Sequence, residues 1–150
     1  MDFYDAIKKR KSVRNYKPNP IPEEVLDRIL EAGRIAPSAK NLQPWRFIVI
    51  KDPEIKKKVA EASRAQLWMA DADIILVGCI LEKIAWGHMG GYMNSGPVDL
   101  AIALDHMILA AANEGLGTCW IGAFVEQDVK NILQVPEDVR VMALTPIGYP

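Results

Sequence analysis

The segment from Val98 to Glu114 constrains this chain most. Leu100, Leu104, Met107, Ile108 and Ala111 recur at helical spacing, and Ala101, Ala103, Ala110 and Ala112 fill much of the remaining surface. A helix on the outside of a globular monomer shows one apolar stripe. A helix apolar over more than one stripe must be covered on both sides, by its own sheet and by something else. The expected second cover is the same helix of another copy about a two-fold axis, the commonest assembly. His106 and Met107 are expected in or beside that contact, with Leu104 and Ile108 sensitive to charge.

A second apolar run, Ile74–Ile80, has the length of a strand and reads as buried on both faces. It is far short of the roughly 20 residues that span a bilayer. Met1 is followed by Asp2, Asp5 and a basic cluster, so neither a membrane segment nor a secretory signal is expected. Cys79 and Cys119 each sit in an apolar stretch and read as buried free thiols in a reducing, cytoplasmic setting. With two cysteines and two histidines, His88 and His106, at unrelated spacings, no metal site is expected. In 150 residues, 50% hydrophobic and 25% charged, one domain with a proper core is the expected organisation.

The remaining elements follow from pattern and punctuation. Residues 2–10 read as a short helix with Asp2 as N-cap and with Phe3 and Ile7 on one face. Residues 15–22 hold three prolines and can be neither helix nor central strand. A helix follows Pro22, with Val25, Leu26, Ile29 and Leu30 as its buried stripe, and ends at Pro37. Strands are expected over 45–51, 74–80, 118–122 and 140–147. A lysine-rich surface helix is expected over 54–65 and a short helix over 126–133, with 82–97 irregular. Gly115 and Gly117 read as the C-terminal cap of the long helix. This order fits one central sheet with helices around it, either α/β or α+β, and leaves strand direction open.

Charge is distributed unevenly. Residues 8–17 carry Lys8, Lys9, Arg10, Lys11, Arg14 and Lys17 without an acid, a charge of +6, so the other 140 residues carry −7. A nucleic-acid binder would be expected to show a broader basic footprint, so none is expected as partner. A local basic knot suits a small anionic ligand, or it is a solvated helix end. Arg10, Lys11, Ser12 and Arg14 place guanidiniums, an ammonium and a hydroxyl within five residues, a set able to grip a phosphate.

A second candidate is the loop A-P-S-A-K-N-L-Q-P-W over 36–45. Ser38, Asn41 and Gln43 offer hydroxyl and amide groups suited to neutral polar ligands. The same loop serves equally as a tight, capped connection. A third is G-L-G-T-C-W-I-G over 115–122. It lacks the strand–glycines–helix order of a dinucleotide fingerprint, but Gly122 and Ala123 allow a flat ligand to approach backbone N–H groups. No hydrolase constellation is present. Trp68, Trp86, Tyr92 and Met93 flank the glycine-rich stretch that contains His88 and are candidates to line a pocket for planar molecules.

Taken together, these segments resemble the nitroreductase (FMN-dependent oxidoreductase) family. RKSVR resembles its phosphate motif, APSAKNLQPWRFIVI its A-P-S-x-x-N-x-Q-P-W-x-F segment, and LAAANEGLGTCWIGAF its second FMN-contacting segment. The resemblance implies an α+β fold with a mixed, largely antiparallel central sheet flanked by helices. It also implies an intertwined homodimer with FMN at the interface. By it, Arg10, Ser12 and Arg14 hold the phosphate and Lys11 assists. Ser38, Asn41 and Gln43 lie near the ring and ribityl chain, with Ser38 assigned to either subunit's site. Ile121, Gly122 and Ala123 present backbone to the flavin. NADH or NADPH is the implied reductant, and a nitroaromatic, quinone or flavin the implied acceptor, in alternating order. A reductive dehalogenase and a non-catalytic flavin or haem binder are the alternatives. The family pattern continues past Gly148 with a further basic segment and a tail around the partner. The sequence stops at Pro150, so residues 1–150 read as a single domain lacking that tail, with a weaker grip on FMN and on the partner.

Overall fold

The computed structural model describes residues 1–150. Its elements are α1 (Phe3–Lys9), α2 (Glu23–Arg34), β1 (Trp45–Ile50), α3 (Pro53–Ala62), β2 (Ile74–Ile80), α4 (Gly96–Asn113), β3 (Gly117–Thr118), α5 (Glu126–Leu133) and β4 (Arg140–Gly148). Short 3-10 turns cover Ala39–Asn41 and Leu67–Asp71. The strands form one sheet in the order β1-β2-β4-β3, and every neighbouring pair is antiparallel. A parallel bridge between Ser12 and Thr118 adds the N-terminal segment to the β3 edge and makes the sheet mixed. No helix is long and apolar enough to cross a membrane.

The continuous apolar run of β2 is explained by its place between two layers. Side chains alternate along a strand. Ile74 and Leu76 point into the core beneath α2 and α4, with Leu26, Ile29, Leu104 and Met107. Ile75, Val77 and Cys79 point into the opposite core beneath α3 and α5, with Val59, Met69 and Val129. Gly78 lies under α4: a Cβ there would come 3.0 Å from Leu100 Cδ1.

Local signals set the helix ends. Asp2 caps α1, its carboxylate accepting from Asp5 N at 2.9 Å. Asp52 caps α3 in the same way, accepting from Ile55 N at 2.9 Å, and Pro53 occupies the first turn. Gly115, at φ +80°, ends α4.

Several expectations are corrected. The helix expected over 54–65 is not wholly a surface element. Lys56 is buried, and its ammonium donates to the carbonyls of Ala72 (2.6 Å) and Asp73 (3.0 Å). The strand expected over 118–122 shrinks to Gly117–Thr118 plus one bridge, Ile121 to Leu144. The ladder breaks because Cys119 N donates to the Thr145 side chain (3.2 Å) instead of a strand carbonyl. Gly117 is not part of the helix cap. It admits Val13, whose Cβ would lie 2.8 Å from a Cβ at that position. Finally, of the α4 residues expected at or beside a contact, Leu104, Met107 and Ile108 are buried in the chain's own core. The outer face of α4 is Val98, Ile102, Asp105, His106 and Leu109 instead.

Cys79 and Cys119 are free thiols in the same core. Cys79 pairs with Val141 on β4, whereas Cys119 bonds Thr145, four residues along that strand. That spacing is about 13 Å, roughly twice the Cα separation a disulfide tolerates.

Candidate functional site

The basic segment after α1 is held to the β3 edge by its backbone. Val13 N donates to Thr118 O at 2.9 Å, and the Tyr16 hydroxyl donates to Val13 O at 2.7 Å. Tyr16 stacks on Trp68 with ring centroids 6.5 Å apart, and burial pushes its phenol above the ordinary tyrosine range. The backbone of 10–14 is therefore fixed while its side chains remain free. Arg10, Lys11, Ser12 and Arg14 are exposed. The chain's six ion pairs all involve other residues, so none of the six cations of 8–17 is neutralised. Lys9, Arg10 and Lys11 line a cleft with Val13 and residues 115–118.

From Thr118 the chain runs directly into 121–123. The Ile121 side chain is buried, and its backbone is spent on a reciprocal pair with Leu144 (2.8 and 3.1 Å). Gly122 and Ala123 differ: both are exposed, and neither amide N–H has a partner within the chain. A Cβ at Gly122 would meet nothing within 4 Å, so the space above it is open. The Gln66 amide donates to Ala123 O at 3.3 Å and fixes the far end of the stretch. The sequence leaves Tyr16 and Gln66 unmarked and offers Gly117 only as a helix cap. Only Gly117 left a signal there, as a second glycine two residues beyond Gly115, which already terminates the helix.

The 38–43 loop lies elsewhere. Its turn is unusual: Lys40, Asn41 and Gln43, all non-glycine, take φ of 52°, 53° and 50°. Each such residue costs about 1 kcal/mol or more and persists only where its surroundings hold it. Ser38 Oγ accepts from Gln43 N at 3.0 Å, and Ala39 N donates to Asp99 at 2.9 Å. The Asn41 and Gln43 side chains are left exposed. Lys40 Nζ sits 5.4 Å from the centre of the Trp86 ring, which brings the 81–97 segment, with exposed His88 and Tyr92, against this loop.

The structure thus joins two of the three candidate segments and separates the third. Residues 10–14 and 118–123 share the β3 edge. Loop 38–43 precedes β1, at the opposite edge, three strand spacings or about 14 Å away. The two groups also flank opposite ends of α4. Asp99 holds the loop, while Ala112 lines the cleft of Lys9–Lys11, about 20 Å further along the axis. One chain cannot close all three around a single small ligand.

A largely antiparallel sheet between two helical layers, with an exposed basic cluster and two free backbone amides at one edge, places the chain in the α+β class. The comparisons give the family. The nitroreductase family model matches residues 7–79 and 66–149, and the chain belongs to that family. A solved nitroreductase family protein from Clostridium novyi NT superposes with a TM-score of 0.91 at 35% identity, covering 100% of this chain and 86% of that one. An FMN reductase [NAD(P)H] of Bacillus subtilis is 32% identical over 97% of this chain and 64% of its own length. An iodotyrosine deiodinase of Thermotoga neapolitana is 28% identical over 99% of this chain and 88% of its own.

Proposed function

We propose that this chain is one subunit of a dimeric FMN-dependent oxidoreductase that passes electrons from NADH or NADPH to a small planar acceptor such as a nitroaromatic, a quinone or a free flavin. The observation that carries the reading is the continuity of the unneutralised cluster at 10–14 with the two unpartnered amides at Gly122 and Ala123. That sequence of groups fits a phosphate joined to a flat, acceptor-rich ring. The named activity of the FMN reductase relative supports the same cofactor and reductant.

When bound, FMN supplies the redox chemistry between reduced nicotinamide and acceptor. The chain's own residues bind and orient. Arg10 and Arg14 supply forked charged donors to the phosphate, Ser12 a neutral donor and Lys11 further charge. Gly122 and Ala123 offer N–H groups to the ring edge, where fixed donors favour developing negative charge. Ile121 holds that stretch rigid through its pair with Leu144. The absence of a paired general acid and base is in keeping with this division of labour.

The separation of the 38–43 loop supports a shared site. In this reading Ser38, Asn41 and Gln43 of one subunit serve the FMN held by the 10–14 and 122–123 segments of the other. The surface for a second copy is on the outside of α4. One apolar groove there is lined by Phe3, Ala6, Ile35, His106 and Leu109, and Phe3 and Ile35 are each 64% exposed. A second, beside Val98, Ala101 and Ile102, continues past His106. A dehalogenase would need charged side chains poised over a zwitterion. Of the two in the 81–97 segment, Lys83 is turned to Asp138 (3.3 Å), so the oxidoreductase reading is preferred.

The test is a visible spectrum of the purified protein after incubation with FMN, followed by anaerobic addition of NADH or NADPH. Retained flavin absorbance that bleaches rapidly, and a loss of affinity of about 10²–10⁴-fold in Arg10→Ala/Arg14→Ala, are expected; the factor follows from about 1.5–3 kcal/mol per charged bond. A protein that retains no flavin, or a double variant that binds it normally, would refute the assignment.

A further inference from the structure

We propose that Asp99 is a positioning residue. Its buried carboxylate clasps the 38–43 loop and the 86–95 segment to the first turn of α4 and so sets where the loop's polar edge stands. The flavin part of this inference rests on the reading of 38–43 as half of a cofactor site.

Asp99 is 3% exposed, and both carboxylate oxygens are used. Oδ1 accepts from Ala39 N at 2.9 Å, and Oδ2 accepts from the Ser95 hydroxyl at 2.7 Å. Ser95, fully buried, carries the link onward: its Oγ accepts from Trp86 N at 3.2 Å and its own N donates to Trp86 O at 2.8 Å. On the outside, Lys40 over the Trp86 ring joins the same two segments a second time. A carboxylate that only capped α4 would direct its oxygens to its own helix. Asp99 sends one to a residue 60 positions away.

The energetics point the same way. A carboxylate is costly to bury unless its oxygens are satisfied, so its partners are part of what holds it there. The loop it holds contains three non-glycine residues at positive φ, and such conformations last only where the surroundings over-determine them. Ala39 N immediately precedes those three residues. With that anchor gone, Lys40, Asn41 and Gln43 relax, and the exposed amides of Asn41 and Gln43 leave their positions. The 86–95 segment, tied through Ser95, moves with them.

Hydrogen exchange on the full chain tests this without reference to any ligand. Asp99→Ala should speed exchange at least about tenfold in both 38–44 and 84–95, leaving the α4 interior over 103–111 unchanged. Asp99→Asn, with its oxygen toward Ala39, should restore most of the protection at 38–44. Ser95→Ala should loosen 84–95 alone, and it remains informative if Asp99→Ala does not fold. A loss of protection spread evenly along α4, or 38–44 unmoved in Asp99→Ala and Asp99→Asn, would show a helix cap and overturn the clasp. FMN titration then tests the consequence. The effect of Asp99→Ala on affinity should be non-additive with Asn41→Ala and should add to that of Arg10→Ala within about twofold, with Asp99→Asn recovering most of the affinity. Additivity with both overturns the positioning role. Wild-type protein that binds no FMN refutes the cofactor reading instead, and the exchange data still judge the clasp.

Discussion

Gly122 offers an unusually clean perturbation. A Cβ built there meets nothing within 4 Å, and the backbone is not in the left-handed region that favours glycine. Gly122→Val should therefore leave the subunit's stability within about 0.5 kcal/mol, as an exposed site without partners does. Any larger effect must come from what lies over the segment. A branched side chain would hold a flat ligand away from the Gly122 and Ala123 amides, the two free donors of the stretch. Losing two neutral hydrogen bonds costs about 1–3 kcal/mol, or about 5–150-fold in affinity. The assay is FMN titration of apo-protein by flavin fluorescence, with thermal melting of the apo form as control. Weakened binding at unchanged melting temperature is expected. Normal affinity and normal turnover in Gly122→Val would place the ring elsewhere and refute the reasoning. A lowered apo melting temperature would show that the open space above Gly122 is not open.

Three further outcomes are expected. At Gly33 a Cβ would lie 1.9 Å from Met107 Cε, and Met107 is 1% exposed, so Gly33→Ala should overpack the α2–α4 contact by about 1–3 kcal/mol and lower the melting temperature by about 2–10 °C, read by calorimetry. Burial pushes the Cys79 thiol up to about 11. A group raised on folding contributes fully below its unfolded value and loses that contribution as pH climbs through its folded one, so stability should fall between about pH 9 and 11, and urea titrations of Cys79→Ala should show a shallower alkaline loss. Leu109→Glu, on the outer face of α4, should give monomers by light scattering with helix content intact, whereas Leu104→Glu, inside the core, should unfold the subunit.

How much of this the residues disclosed depended on which interaction decided each element. The alternating partners of β2 and the stripe of α2 are local patterns answered by burial, and both read correctly. Asp2, Gly115 and the prolines of 15–22 act through their own backbone chemistry and also read correctly. The third strand failed because its ladder ends on a side chain, Thr145, that no pattern in 118–122 reveals. Lys56 and Lys130 look like surface cations, yet each is buried with its ammonium on backbone carbonyls contributed by residues seven to seventeen positions away. Composition shows that two faces of α4 are apolar without showing which one the sheet takes: it takes Leu104, Met107 and Ile108 and leaves His106 outside. The candidate site was half legible. Residue types marked all three segments, but spacing along the chain says nothing of their lying at opposite ends of an 18-residue helix. Nor could non-glycine residues at 40, 41 and 43 announce a left-handed turn.

In the proposed dimer, each cofactor site takes its phosphate grip from one subunit and its polar loop from the other. Subunit complementation tests it most directly. Arg10→Ala/Arg14→Ala and Asn41→Ala/Gln43→Ala chains, each tagged differently, are co-expressed, and the mixed dimers are isolated by both tags. One site of such a dimer then carries both defects and the other carries none. The account predicts that each variant alone binds FMN poorly, and that the mixed dimer recovers about one tightly bound, NAD(P)H-reducible flavin per two chains. Mixed dimers that bind no better than their parents would place both segments in one subunit's site and contradict it.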